Sequence, residues 1–97
     1  MQYSNWEHKD LYCVLPAVCY FLKSLRDTLP EAKIYCLINT DIKPGIAEGI
    51  KNACEHFGII AISFDSIDKN ANHPTIKGMQ DIKNGVLSVL RQCSPLA

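Results

Sequence analysis

The sequence has no excess of either charge and no apolar run long enough to cross a bilayer. Ten basic residues balance ten acidic ones, and neither sign is clustered along the 97 residues. Nucleic-acid and anionic-lipid surfaces normally require a concentration of lysine and arginine. The longest apolar stretch, residues 11–22, contains a proline and falls short of the ~20 residues of a membrane-spanning helix. We therefore predict no nucleic-acid partner and no membrane partner.

The sequence also has no CxxC pair. Its five cysteines are odd in number and mostly lie where apolar residues are expected, which favours buried reduced thiols over a disulfide framework. Cys54 and His56 lie two positions apart on a predicted helix and so point to different faces, and no second ligand pair accompanies them. We predict no metal site and no cofactor. The mixed N-terminus "MQYSNWEHKD" does not resemble a secretory signal, and reduced thiols favour the cytoplasm.

The apolar pattern predicts one modest α/β core. Helical spacing predicts helices over residues 16–29, over residues 44–57 and from Thr75 onward, the second ending in a left-handed cap at Gly58. Residues 33–39 and 59–64 are short apolar runs typical of strands buried on both faces. The order helix–strand–helix–strand–helix predicts two parallel strands joined by a right-handed crossover in a layered α/β arrangement.

Two glycines in the third helix, Gly78 and Gly85, lie seven positions apart on nearly one side. We expect close packing there to outweigh their low helix propensity.

Two apolar strands make a poor sheet, because both edges would expose unpaired backbone groups. Either two copies of the chain form a homodimer edge to edge, or residues 16–97 are one portion of a larger α/β domain. In the second case residues 1–15 are an N-terminal tail or a remnant of the preceding part. Tyr3 and Trp6 would anchor this tail to apolar faces.

Polar side chains follow both strands, where the loops of a parallel sheet converge and ligands usually bind. We expect them to share one rim of the sheet. The first strand is followed by Asn39, Thr40 and Asp41, and the second by Asp65, Asp68, Asn70, Asn72 and His73.

The segment "FDSIDKNANHPTIKGMQDI" resembles the C-terminal portion of SGNH (GDSL-like) hydrolases, in the bacterial branch of esterases and lipases. The arrangement His-Pro-Thr-x-x-Gly-Met, starting at His73, is its most specific element. The patterns "LRDTLPEAKIYCLINT" and "ACEHFGI" precede it in the same order as in the family, so the resemblance covers roughly residues 16–92. It implies a flavodoxin-like SGNH fold of which this chain is the C-terminal portion.

The resemblance implies that His73 is the general base that takes a proton from an attacking serine. The family commonly has a carboxylate three residues before this histidine, but Asn70 stands there. An amide can hold an imidazole but supplies no negative charge. We therefore assign the carboxylate role to Asp68, with Asp65 as the alternative.

The family's Gly-Asp-Ser nucleophile block does not occur in these residues. The resemblance thus implies an ester hydrolase portion, inactive by itself, with a small carboxylic or acetyl ester as substrate once completed. The alternative is a non-catalytic module that self-associates or binds a small ligand. In that case His73 is only a polar residue near a helix start, and Asp68 only caps a turn.

Overall fold

The computed structural model describes residues 1–93. Its α-helices are α1 (Val14–Thr28), α2 (Pro44–His56) and α3 (Ile76–Cys93), and a short 3₁₀ helix covers His8–Tyr12. Strands β1 (Tyr35–Ile38) and β2 (Ile60–Ser63) form a parallel two-stranded sheet, which confirms the predicted helix–strand–helix–strand–helix order of an α/β fold. Strands β3 (Lys69–Asn70) and β4 (His73–Pro74) form a separate hairpin. Within the described residues, no helix is both long and apolar enough to cross a membrane.

One compact unit consists of Met1–Cys36 and Ile42–Ala61. Helices α1 and α2 pack closely in this unit. A Cβ added at Gly49 of α2 would lie only 2.7 Å from Leu15 Cδ1 of α1, so the glycine allows this approach. The apolar stripes of the two helices meet here, as their spacing predicts. The buried side chains of this unit include Cys19, Leu22, Ile50, Ala53, Cys54 and Ile59.

Arg26 fixes the C-terminal ends of both helices in this unit. Its guanidinium donates hydrogen bonds to the carbonyl oxygens of Phe57 (2.9 Å), Gly58 (2.7 Å) and Ala32 (2.8 Å). These carbonyls lie just beyond the last turns of α1 and α2, so Arg26 ties together the chain segments that leave the two helices. Gly58 has a φ of 68°, which confirms the predicted left-handed cap.

The N-terminal residues of this unit pack on its helices through aromatic contacts. The Tyr3 ring stacks on His56 with centroids 3.8 Å apart, and Trp6 meets Tyr20 edge-on at 5.9 Å. The anchors are therefore rings on α2 and α1 rather than bare apolar faces. His56 is part of this stacking contact, and the His8 ring contacts Tyr12, which leaves His73 as the histidine of interest for chemistry.

The described cysteines Cys13, Cys19, Cys36 and Cys54 are free thiols. Cys19 and Cys54 are buried, whereas Cys13 lies exposed at the start of α1. Burial, reinforced by the neighbouring Cys36 thiol, raises the pKa of Cys54 to about 12. A buried, protonated thiol is a poor nucleophile. Cys54 is therefore a packing residue and not a candidate for covalent catalysis.

The second unit contains Leu37–Asp41 and the described residues from Ile62 onward. Helix α3 crosses closely over the segment after β2. A Cβ added at Gly85 would overlap the Phe64 ring, so only glycine allows this distance. A Cβ on Gly78 would likewise overlap the carbonyl oxygen of Asp68. Both glycines thus serve close packing, as predicted. This unit carries the polar residues that follow the two strands.

Candidate functional site

The segments after β1 and β2 are joined by Lys69, a residue that the sequence did not single out. Its Nζ donates a hydrogen bond to Asn39 Oδ1 and forms an ion pair with Asp41 Oδ2 at 2.6 Å. The Lys69 side chain is only 11% exposed. The shared rim predicted for these loops is therefore present for Asn39 and Asp41. A single lysine in a polar loop gives no sequence signal of this role.

The segment predicted as a loop contains the β3–β4 hairpin. Asn70 lies opposite His73, and Lys69 lies opposite Pro74, in an antiparallel register. The two linking residues, Ala71 (φ 51°) and Asn72 (φ 66°), are both left-handed, as in a type I′ turn. The loop prediction was wrong here because alanine does not signal such a turn, and two-residue strands show no alternation.

The hairpin register puts His73 and Asp68 on the same face. Thr75 N–H donates a hydrogen bond to the Asp68 carbonyl oxygen at 3.0 Å, so Asp68 lies opposite Thr75 in the same antiparallel register. Side chains of successive strand residues point to opposite faces, and directly opposite residues share a face. Asp68, Asn70, His73 and Thr75 therefore share one face, whereas Lys69 and Pro74 point to the other. Asp68 is a diagonal neighbour of His73, and Asn70 is its direct neighbour.

The Asp68 carboxylate is already engaged. Its Oδ2 accepts a hydrogen bond from the Thr75 hydroxyl at 2.5 Å, and that hydroxyl accepts one from Gly78 N–H at 3.1 Å. Thr75 is therefore the N-cap of α3. The Asp68 N–H in turn donates to Asp81 Oδ2 at 3.2 Å. Asp68 thus ties the base of the hairpin to the first turns of the helix.

The His73 side chain is exposed, and among the described residues no side chain or backbone group forms a hydrogen bond with its ring. Asp65 lies elsewhere in the unit, in an open groove with Ser66, Asp81 and Asn84 that does not include His73. The structure therefore brings Asn70 and Asp68 to the histidine's face of the hairpin. No hydrogen bond among the described residues joins Asp65 to His73.

An apolar cavity of about 140 Å³ adjoins the opposite face of the hairpin. Pro74 and Lys69 form part of its wall, which matches their alternation with His73 and Asn70. The remaining lining residues come from the end of β1, the segment after β2 and helix α3: Leu37, Ile38, Asn39, Phe64, Ile67 and Ile82. The polar tip of Lys69 is neutralised by Asp41, so this cavity presents hydrophobic surface without a free charge.

The motif residues His73, Thr75 and Gly78 therefore have distinct structural roles. His73 is presented by a hairpin, Thr75 caps the helix, and Gly78 lets the helix approach the Asp68 backbone. Together they fix the backbone that carries the imidazole beside a helix start, while the ring itself is exposed. Such an arrangement suits proton transfer to or from a group that approaches the open side of the ring.

Comparison with known proteins identifies a family and two solved relatives. The family model "GDSL-like Lipase/Acylhydrolase" matches residues 1–90. A candidate GDSL-like lipase from Bacteroides ovatus has 35% sequence identity and a TM-score of 0.89, with 94% of this chain and 44% of that chain covered. A second, from Bacteroides uniformis, has 36% identity and a TM-score of 0.88, with 94% and 43% covered.

No curated protein matched the chain. The chain spans less than half the length of the two solved relatives, 44% and 43%. The family match nevertheless extends over nearly all of its residues, and the fold is reproduced at high TM-score. The resemblance carried by the His-Pro-Thr-x-x-Gly-Met arrangement is thereby confirmed. This chain belongs to the GDSL-like lipase/acylhydrolase family.

Proposed function

We propose that this chain is the C-terminal portion of a serine ester hydrolase and supplies its general base, His73. The observation that carries the proposal is the hairpin register, which presents His73 after β2 with its ring free and with Asn70 and Asp68 on the same face. Family membership supports the reaction class, since the matching family is one of lipases and acylhydrolases. The substrate is a small carboxylic or acetyl ester.

In this function His73 accepts the proton of a serine hydroxyl as the oxygen attacks the ester carbonyl. It then returns the proton to the departing alcohol, which leaves an acyl-enzyme. In the second half of the reaction His73 takes a proton from the attacking water and returns it to the serine oxygen, which releases the acid. The serine and the oxyanion donors come from polypeptide outside this 97-residue chain. In the completed domain we assign the orientation of the imidazole to Asn70, directly opposite in the register, and the stabilisation of its protonated form to the Asp68 carboxylate on the same face.

A chimera tests this function. The portion of the Bacteroides ovatus protein that aligns with this chain is replaced by the 97 residues, and hydrolysis of p-nitrophenyl acetate and butyrate is measured. We expect the chimera to hydrolyse at least one ester within about tenfold of the parent rate, because the replaced fold is the same. We expect the 97-residue chain alone to remain at the background rate. If the parent protein is active but the folded chimera shows only background hydrolysis, the proposed function is contradicted.

The assignment of the carboxylate gives a separate prediction. Asp68→Asn keeps an oxygen that can accept the Thr75 hydroxyl but removes the charge, so we expect kcat of the chimera to fall about 100-fold without loss of stability. Asn70→Asp places a carboxylate directly opposite His73 and should restore much of this loss in the Asp68→Asn background. Kinetics of the two single variants and the double variant measure this. Unchanged kcat in Asp68→Asn would show that Asp68 serves only the helix cap.

Self-association without catalysis remains the second candidate, because the sheet of the described residues has only two strands. A homodimer would pair the strand edges of two copies. Sedimentation of the chain alone separates this candidate from the first, since it requires a stable dimer.

A further inference from the structure

Helix α3 has two apolar faces, and only one of them is covered. On the inner side, Gly78 lies against Asp68, Gly85 lies against Phe64, and Ile82 lines the cavity. On the outer side a second row of large apolar residues is exposed. These are Ile76 (83% exposed), Met79 (57%), Leu87 (36%) and Leu90 (37%), which we call the α3 stripe.

The members of the α3 stripe lie on one side of the helix. At about 100° per residue they fall within a sector of roughly 80°, and they extend over about 21 Å of helix. The exposed side chain of Lys83 is the polar group in the same sector. Soluble monomers rarely expose apolar patches of more than a few hundred Å², and larger ones usually mark an interaction surface. The stripe adds to the exposed apolar surface of this unit, in which Leu37 of β1 is also 50% exposed.

We propose that the α3 stripe is the surface on which the remaining part of the GDSL-like domain packs. This inference rests on the proposed function, in which the serine comes from outside these residues. The coverage of the solved relatives points to this occupant. The Bacteroides ovatus fold includes 94% of this chain at a TM-score of 0.89, yet 56% of that chain has no counterpart here, since only 44% is covered. We assign the packing surface of that additional polypeptide to the α3 stripe.

The chemistry of the stripe fits a polypeptide interior. Its residues are unbranched or branched aliphatic side chains that interdigitate well with a neighbouring helix or sheet. A small polar ligand would find few hydrogen-bond groups there. Lys83, in the middle of the sector, can extend its ammonium to the margin of the contact or pair with a carboxylate of the occupant.

The test compares one substitution in two contexts. Met79→Asp puts a charge on the stripe, and Ser88→Asp puts the same charge on an exposed position on the other side of the same helix. In the 97-residue chain alone, both variants should unfold within a few degrees of the unmodified chain, because both positions face solvent. In the chimera, Met79→Asp should lower the Tm by about 10 °C relative to Ser88→Asp, because the charge is then buried.

Equal effects of the two variants in the chimera would overturn the proposal, and so would a chimera that fails to fold. Sedimentation of the chain alone tests whether a second copy of the chain covers the stripe instead. A dimer that Met79→Asp dissociates and Ser88→Asp does not would assign the stripe to a second copy instead. A chimera that shows the expected difference in Tm but no ester hydrolysis would support the α3 stripe as the packing surface. The same result would contradict the proposed hydrolase function.

Discussion

Replacing His73 by alanine in the chimera is expected to reduce kcat for ester hydrolysis by roughly 10³–10⁴-fold. The reduction follows from the loss of the group that takes the serine proton, which no other described side chain on that face of the hairpin can replace. Asn70 is neutral and cannot act as a base at neutral pH. Asp68 is diagonal to the histidine and bonded to the Thr75 hydroxyl. KM should change little, because His73 acts on the reacting proton and not on the bound acyl group.

His56→Ala is the matched control for this prediction. His56 is also exposed, but its ring stacks on Tyr3, in the other compact unit. Steady-state kinetics with p-nitrophenyl butyrate should therefore show the chimera's kcat unchanged in His56→Ala. Equal losses in the two variants would point to a general loss of folded protein, and circular dichroism of both variants checks for that.

The second large effect is expected from Gly78→Ala. A Cβ at this position would overlap the Asp68 carbonyl oxygen and lie 3.1 Å from its carbonyl carbon. The carbonyl cannot withdraw easily, because it accepts hydrogen bonds from Thr75 N–H at 3.0 Å and from the Thr75 hydroxyl at 3.3 Å. We expect the free energy of unfolding to fall by about 3 kcal/mol, at the upper end of overpacking costs.

Gly45→Ala provides the control for the glycine substitution. Apart from its chain neighbours and the backbone of its own helix, no atom lies within 4 Å of the Cβ that it would add, and Gly45 lies in the first turn of α2. Because alanine has the higher helix propensity, this variant should be more stable by up to about 1 kcal/mol. Urea unfolding of both variants measures the contrast. A Gly78→Ala variant as stable as the unmodified chain would mean that the hairpin does not sit tightly against α3.

The helices and the two main strands were predictable because their signals are local and repeated. Pro44 and Gly58 mark the two ends of α2, and the apolar runs around Leu37 and Ile62 are too short for helices. The hairpin was not predictable, because its turn needs left-handed backbone at Ala71 as well as at Asn72, and alanine, unlike asparagine, gives no signal of that conformation. The register of this hairpin nevertheless determines which side chains lie on the same face as His73.

The sequence showed which residues of α3 are apolar but not which of them are covered. Ile76, Met79 and Ile82 share a helical period, yet only Ile82 lines the cavity. Likewise the sequence placed Asp68 near His73 without showing that its carboxylate bonds to Thr75. Both facts depend on the packing of α3 against the hairpin, which is a tertiary arrangement and has no local signal.

The central claim is that His73 activates a serine, and trapping of that serine tests it without any choice of ester. A fluorophosphonate reacts with a serine whose hydroxyl is deprotonated by a neighbouring base. The rate constant for its attachment to the chimera can be measured by mass spectrometry, with and without His73→Ala. We predict a single labelled serine and a rate at least about 100-fold lower in the variant. Equal labelling rates in the two proteins would contradict the claim.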